Sequence, residues 1–251
     1  MSGTLPYCGS APIPGELLMR FNLDPVLIGV LTAILAWHLI ALKDSPHAGR
    51  ARTQALAGWL VAAAALISPL CALSVALFSA RVSQHMALVL VAAPLIAAGW
   101  PRQREPSAAW MLWASALLFF FALWFWHMPV PYEATFTSSS VYWAMHVTLF
   151  GGSILLWRHL IHHSRRQIAQ VLAAGLVTFM HMGLLGAILT LAGHPLFQWH
   201  ILTTQAWGLT ALQDQQLGGA VMWVPGMALF LWTALRSVGR LWEPAQGARP
   251  A

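Results

Sequence analysis

The 251-residue sequence contains very little charge. Asp, Glu, Lys and Arg together make up 8% of the chain, whereas 59% is hydrophobic and the mean hydropathy is +0.67. Soluble globular domains carry about 25% charged residues. The composition therefore excludes an ordinary soluble domain and predicts an all-α membrane protein, because helices satisfy their own backbone hydrogen bonds in lipid.

The motifs of common soluble enzymes are also absent. The sequence has no nucleophile elbow, no phosphate-binding glycine loop, no HExxH helix and no CxxC pair. Hydrolases and nucleotide-driven enzymes therefore have no support, and we expect a protein that is not an enzyme. The 13 Lys and Arg exceed the 7 Asp and Glu, but their positions between apolar segments indicate a lipid bilayer as the partner rather than nucleic acid.

Seven apolar segments are long enough to be membrane spans. We predict them at roughly 24–42, 53–68, 82–98, 108–126, 141–160, 168–192 and 214–235. Asp24 suits the N-cap of the first helix and Pro25 its first turn. The predicted organisation is an N-terminal arm (1–23), a seven-helix transmembrane domain (24–235) and a C-terminal tail (236–251).

The basic residues predict the orientation of this bundle. Eleven fall on one side of the predicted membrane: Lys43, Arg50, Arg52, Arg102, Arg104, Arg158, Arg165, Arg166, Arg236, Arg240 and Arg249. Only Arg20 and Arg81 fall on the other side. Because Lys and Arg are enriched in cytoplasmic connections, we expect the amino terminus outside the cell membrane and the carboxyl terminus in the cytoplasm.

Six of the eleven histidines are expected at the outer side of this bundle or in its outer half. They are His85, His127, His146, His181, His194 and His200. His85, His127, His146 and His181 belong to four different spans, and ionisable groups inside a membrane usually carry function. We predict that these four hold a shared metal ion or cofactor. The alternative is that each ring is separately satisfied by a hydrogen bond.

Methionine adjoins each of these four histidines. The pairs are His85-Met86, His127-Met128, Met145-His146 and Met180-His181-Met182. Imidazole and thioether ligands suit copper, especially Cu(I), better than harder ions. Neighbouring helical side chains point about 100° apart, so the methionines either form a nearby pathway or are ordinary packing.

Two other functions use the same histidines. A haem protein could take two of them as axial ligands, which an absorbance spectrum would reveal. A copper permease requires polar groups through the whole membrane, and below His181 the spans are nearly free of them. The copper site on the outer side is therefore the preferred hypothesis.

Both cysteines fall on the outer side of the predicted bundle. An oxidising exterior favours a disulfide between Cys8 and Cys71, which would tie the arm to the end of the second span. The reduced pair could instead offer thiolates to Cu(I), or the two thiols could remain unpaired.

The motif Asp214-Gln215-Gln216-Leu217-Gly218-Gly219 opens the seventh span. Asp214 is either the N-cap of that helix or, together with Gln215, it orients a ligand histidine through the second ring nitrogen. Gly218 and Gly219 permit close approach of a neighbouring helix.

Several of these motifs resemble signatures of the polytopic CtaG family of cytochrome c oxidase assembly factors. They are Ser83-Gln84-His85-Met86 with Ala93-Pro94-Leu95, Trp126-His127-Met128-Pro129 with Tyr132, His146, and the Asp214 motif with Met222-Trp223-Val224-Pro225-Gly226. The resemblance runs in order from about Cys8 to Trp232, and the Asp-Gln-Gln-Leu-Gly-Gly motif is its most specific part.

The resemblance implies a seven-span protein of the bacterial inner membrane that helps to mature haem–copper oxidases by handling copper. Oxidase subunits and copper are then the partners, and Tyr132 joins Asp214 and Gln215 as a candidate to orient the ligands. One position departs from the family, because Arg81 stands where members often have another histidine. A fixed cation there repels a metal ion, so the site must depend on the four histidines already named.

Overall fold

The computed structural model describes residues 5–43, 48–101, 108–162 and 165–242. These residues form helices and contain no strand, which confirms the all-α class. The α-helices are α1 (Pro25–Ala41), α2 (Ala48–Ile67), α3 (Leu70–Ala76), α4 (Phe78–Met86), α5 (Ala93–Ala98), α6 (Ala109–Trp126), α7 (Pro129–Thr137), α8 (Ser139–His146), α9 (Gly152–Ile161), α10 (Ile168–Leu191), α11 (His200–Thr203) and α12 (Ala211–Trp242). Short 3₁₀ turns occupy Pro14–Met19, Arg165–Gln167 and Gln205–Trp207.

Each predicted span contains a helix, but several bounds differ from the prediction. Helix α12 continues to Trp242, so it enters the predicted tail, of which residues 243–251 lie outside the described chain. The connection after His127 contains a helix of its own, α7. Pro129 stops α6, yet proline is favourable in the first turn of a new helix, where its missing N–H costs nothing.

π-Helical turns interrupt two of the long helices. Ala87–Ala92 joins α4 to α5, and Val147–Gly151 joins α8 to α9. These wider turns are rare and are found frequently at functional sites. The first follows closely after His85 and the second begins directly after His146, so each turn adjoins a predicted ligand.

By length and composition, three helical segments of the described chain can cross a membrane. They are Phe78–Ala98, Ala109–Trp126 and Ile168–Leu191. The pair α2 and α3, which bends by 47° at its break, makes a fourth if it is one span. Helix α1 is apolar but only 17 residues long. The predicted count of seven spans therefore stays a prediction.

An apolar stripe runs along the outer face of α10. Leu176, Met180, Leu184 and Ile188 follow one another at four-residue spacing, and all four side chains are exposed. Residues four apart lie on the same face of a helix. A continuous exposed apolar face is unfavourable in water and suits contact with lipid, so the stripe agrees with a membrane protein.

Glycine allows α10 and α12 to pack closely. A methyl group added at Gly219 would lie 2.7 Å from the carbonyl oxygen of Gly186, and one added at Gly186 would lie 2.9 Å from the carbonyl oxygen of Gly219. Small residues at such crossings let two helix backbones approach each other in membranes. The prediction for Gly219 is confirmed, and the contact fixes the position of Asp214 at the start of α12.

Asp214 is not the N-cap of its own helix, because α12 already begins at Ala211. Its carboxylate caps α4 instead. One oxygen accepts a hydrogen bond from the backbone N–H of Phe78 at 2.6 Å, and the other accepts from the N–H and hydroxyl of Ser79. The first N–H groups of a helix have no partner inside that helix. Asp214 therefore extends the third segment outward to Phe78, beyond its predicted start at Val82.

The Asp214→Asn protein tests this cap. The amide keeps one acceptor oxygen but turns an NH₂ group toward a backbone donor, so a buried N–H loses its partner. We expect the free energy of unfolding to fall by about 1–3 kcal/mol. Denaturant titration of the purified protein, followed by circular dichroism, measures this change.

Gln213→Ala is the matched control, because the exposed Gln213 side chain caps only α12, through the backbone N–H of Thr210. Its loss should cost less than the loss of Asp214. Equal stability of the Asp214→Asn protein and its parent would contradict the assigned cap.

Candidate metal centre

Three of the four predicted ligands lie together in the structure. His85, His127 and His146, which we call the histidine cluster, are exposed by only 4%, 6% and 4%. The ring centroid of His85 lies 5.4 Å from that of His146 and 6.2 Å from that of His127. The cluster therefore joins α4, the C-terminal end of α6 and α8 around the buried ring of His85.

Backbone carbonyls orient two of these rings. Nδ1 of His127 lies 2.7 Å from the carbonyl oxygen of Leu123, and Nδ1 of His146 lies 3.0 Å from that of Tyr142. A carbonyl oxygen only accepts, so Nδ1 carries the proton and Nε2 of the neutral ring keeps a free lone pair. Metal-binding histidines are commonly held in this way.

Some ring nitrogens in the cluster are buried without a hydrogen-bond partner. They are both nitrogens of His85 and Nε2 of His146. Buried polar atoms in folded proteins almost always have a partner. A bound ion would supply one for the free lone pairs, which makes these atoms the strongest indication of a ligand in the described chain.

The spacing of the rings fits a shared ion. Imidazoles that bind one ion at about 2.0–2.1 Å have ring centroids roughly 5–6 Å apart, and the separations of His85 from His146 and from His127 are close to this range. The rings meet edge to face, at 74° and 78°. No group of three His, Cys, Asp or Glu side chains among the described residues is already arranged to hold a metal. The rings must therefore rotate before their lone pairs converge.

His181 lies apart from the histidine cluster. Its ring centroid is 5.0 Å from that of Phe120 and 6.0 Å from that of Phe119, both in α6. Phe120 precedes His127 by about 10 Å along the helix axis, at ~1.5 Å per residue. Both ring nitrogens of His181 are buried without a partner. The structure thus brings three predicted ligands together and leaves the fourth as a separate, deeper imidazole.

The residues expected to orient the ligands act elsewhere. Asp214 caps α4, and Gln215 bonds the backbone N–H of Leu196 and the carbonyl of Leu189. The hydroxyl of Tyr132 lies 2.7 Å from Nε2 of His200. Burial lowers the pKa of His200 to about 3, so the ring is neutral. Its Nδ1 lies 3.2 Å from the carbonyl oxygen of Ala76 and carries the proton, so Nε2 accepts from Tyr132. In the structure, the backbone carbonyls of Leu123 and Tyr142, rather than these three side chains, contact the rings of His127 and His146.

The flanking methionines divide by burial. Met86, Met145 and Met182 belong to the main hydrophobic core. Met128 and Met180 are exposed, by 51% and 60%. Met180 faces outward while the neighbouring His181 is buried, as the rotation between successive helical residues requires. Ordinary packing therefore accounts for these positions better than a common path does.

The N-terminal arm is tied down beside the cluster. Cys8 and Cys71 form a disulfide, with their Cα atoms 5.5 Å apart. The hydroxyl of Tyr142 lies 3.4 Å from Sγ of Cys8, and the Tyr142 ring centroid is 4.2 Å from that of His146. Tyr7 stacks on Tyr142 at 4.9 Å. The disulfide therefore holds Tyr7 of the arm over Tyr142, which in turn packs against His146.

A hydrogen bond anchors the start of the arm to α1. The hydroxyl of Tyr7 donates to the carboxylate of Asp24, whose other oxygen caps α1 through the N–H of Val26. Burial and this contact with a carboxylate raise the pKa of Tyr7 to about 12. The hydroxyl therefore stays protonated and remains a donor at neutral pH.

Sequence reasoning missed the burial of Arg81. We expected it on the outer side, whereas the structure places it within α4, one turn before His85, with 1% exposure. Its Nη1 donates to the hydroxyl of Thr135, and its guanidinium lies 4.0 Å from the ring centroid of Phe136. The four-residue spacing to His85 was the available signal, because it puts both side chains on one helix face.

Comparison with known proteins gives one assignment. Neither a curated protein nor a solved structure matches the chain. Residues 33–243 match the family described as cytochrome c oxidase caa3 assembly factor. This match includes all three cluster histidines, Arg81 and the Asp214 motif. The chain belongs to the Caa3_CtaG family of cytochrome c oxidase caa3 assembly factors.

Proposed function

We propose that this protein binds copper as Cu(I) at the histidine cluster and passes it to a subunit of a haem–copper oxidase. Membership of the assembly-factor family supports the link to the oxidase. The observation that carries the choice of a metal is the set of buried ring nitrogens without partners. Copper is cargo in this proposal and no covalent bond of a substrate changes, so the protein is not an enzyme.

The chemistry of the cluster favours a soft, singly charged ion. Its donors are neutral imidazoles, which suit copper better than magnesium or calcium. The buried cation Arg81 stands one turn from His85. A monovalent ion is repelled less than a divalent ion and costs less to bury. Cu(I) meets these conditions and accepts the two or three ligands that the cluster offers.

We also propose seven spans in a bacterial inner membrane, with the amino terminus in the periplasm. Helix α1, at about 26 Å for its length, nearly matches the ~30 Å hydrocarbon layer. Helices α8 and α9 continue through a π turn, and α12 has 32 residues. These three segments add to the three that length and composition support, and the bent pair α2 and α3, taken as one span, completes the seven.

Two further features support this orientation. The Cys8–Cys71 disulfide is favoured by an oxidising compartment, which supports a periplasmic position for the arm and the histidine cluster. At the opposite helix ends, Arg158 lies 5.4 Å from the ring of Trp100 and Arg236 lies 4.8 Å from that of Trp232. Lys and Arg are enriched on the cytoplasmic side of membranes, and tryptophan is enriched at both interfaces.

Reporter fusions test the orientation. A reporter that works only in the cytoplasm should be active when it is fused after Ala251, because eleven of thirteen basic residues are expected on the cytoplasmic side. A reporter that works only in the periplasm should be inactive at the same fusion point. Periplasmic activity of the fusion after Ala251 would reverse the proposed orientation and move the cluster to the cytoplasmic side.

Histidine variants test the metal site. His85→Ala and His146→Ala should each lower Cu(I) affinity by more than about 100-fold, since loss of a ligand exceeds the 10–100-fold effect of losing an outer partner. Competition with a colorimetric Cu(I) chelator measures the affinity. In cells, oxidase subunits should still accumulate, with lower oxidase activity that added copper partly restores.

His181→Ala is the matched control. It also removes a buried imidazole without hydrogen-bond partners, but from outside the cluster, so its Cu(I) affinity should stay within about threefold of the parent. Unchanged affinity in the His85→Ala and His146→Ala proteins would refute the site. An equal loss in all three variants would show a general effect of removing a buried imidazole.

A further inference from the structure

Arg81 carries a buried positive charge without an acidic partner. Its side chain is 1% exposed, and a guanidinium is protonated at any physiological pH. The only ion pair within the described residues joins Arg20 to Glu16. Asp214, the buried carboxylate that contacts the same helix, accepts hydrogen bonds from Phe78 and Ser79 instead. Buried charges in proteins are normally paired.

Aromatic rings compensate this charge only in part. The guanidinium carbon lies 4.0 Å from the ring centroid of Phe136, 5.3 Å from that of Tyr132 and 5.8 Å from that of Tyr142. A cation is attracted to a ring face, but this attraction is weaker than the cost of taking the ion out of water. The three rings therefore surround the guanidinium and stabilise it in part, but they do not neutralise its charge.

An ionised tyrosine does not provide the missing negative charge. The hydroxyl of Tyr132 donates to Nε2 of His200 and therefore carries its proton. Burial also raises the pKa of Tyr132. The hydroxyl of Tyr142 lies against the two disulfide sulfurs, at 3.4 Å and 3.7 Å, and no carboxylate among the described residues forms a hydrogen bond with it.

One edge of the guanidinium remains free. Nη1 donates to the hydroxyl of Thr135, the only hydrogen bond of this side chain in the described chain, and Nε is buried without a partner. The N–H groups of Nε and Nη2 point the same way and form a two-donor fork. Such a fork matches the two oxygens of a carboxylate or cradles a single halide ion.

We propose that Arg81 binds one small monovalent anion, a halide or a short carboxylate, at this fork. The anion neutralises the guanidinium and supplies an acceptor for Nε–H. Since Arg81 stands one turn from His85, the bound anion also weakens, without abolishing, the repulsion that a cation in the histidine cluster would meet. The anion site does not depend on copper, because the charge of Arg81 is uncompensated in the metal-free protein as well.

The test follows the thermal unfolding of metal-free full-length protein in detergent while chloride replaces a bulky sulfonate at constant ionic strength. Anything that binds only the folded state raises its stability with ligand concentration. The unfolding midpoint of the wild-type protein should rise with chloride and then level off. Bromide, formate and acetate form parallel arms, so a response to halides alone or to carboxylates alone identifies the class of anion.

Variants assign the response to one residue. Arg81→Met should unfold at a midpoint that does not depend on these anions, whereas Arg20→Met, which removes an exposed arginine, should keep the wild-type response. Arg81→Lys keeps the charge but loses the fork, so its apparent anion affinity should fall about tenfold. An anion response of the same size in Arg81→Met and the wild type would overturn the proposal.

A second measurement covers the case in which Arg81→Met does not fold. The ³⁵Cl resonance of dissolved chloride broadens when ions exchange with a protein site. Wild-type protein and Arg20→Met should broaden it equally, and Arg81→Lys should broaden it less. Absence of broadening by the wild type together with no midpoint response to formate or acetate, or equal broadening by Arg81→Lys, would overturn the anion site and leave the copper proposal standing.

Discussion

The contact between the Asp214 carboxylate and the first turn of α4 determines where the functional side chains lie. It satisfies backbone N–H groups that would otherwise be buried without partners, at Phe78 and Ser79. It also places a negative charge at the positive end of a helix. Because α4 carries both Arg81 and His85, a shift of this helix would move the anion fork and the histidine cluster together.

Several polar groups near the histidine cluster have hydrogen-bond partners, whereas both ring nitrogens of His85 have none. Nε2 of Gln84 donates to the carbonyl of Ala65, Trp157 donates to that of Val89, and Trp126 donates to the hydroxyl of Thr148. In a membrane bundle each unsatisfied polar group is costly. Single buried atoms elsewhere, such as Oε1 of Gln84, also lack a partner, but His85 and His146 bring three such ring nitrogens together at one place, which supports a bound ligand there.

Much of the architecture could be predicted because it depends on local patterns. Apolar runs and prolines gave the helices, and Asp24-Pro25 marked the start of α1 correctly. The features that escaped prediction depend on contacts between distant segments. Asp214 caps α4 across 135 residues of sequence, and the acidic residue at a predicted helix start looked like a cap for its own helix. Nothing local in the sequence distinguishes these two uses.

The candidate site, too, was predicted only where it depends on local sequence. Methionine neighbours singled out four histidines, but adjacency could not show that His181 lies beside Phe120, away from the cluster. The depth of a side chain along one span, relative to another, depends on helix register and on close contacts such as Gly186 with Gly219. The burial of Arg81 escaped for the same reason, because the outward extension of α4 depends on a partner in α12.

X-ray absorption at the copper edge of the Cu(I)-loaded protein tests the central claim most directly. The account predicts a first shell of two or three nitrogen atoms at about 2.0 Å, with the outer-shell pattern of imidazole and no sulfur. A first shell containing sulfur would contradict it, because methionine or reduced cysteine rather than the histidine cluster would then hold the copper.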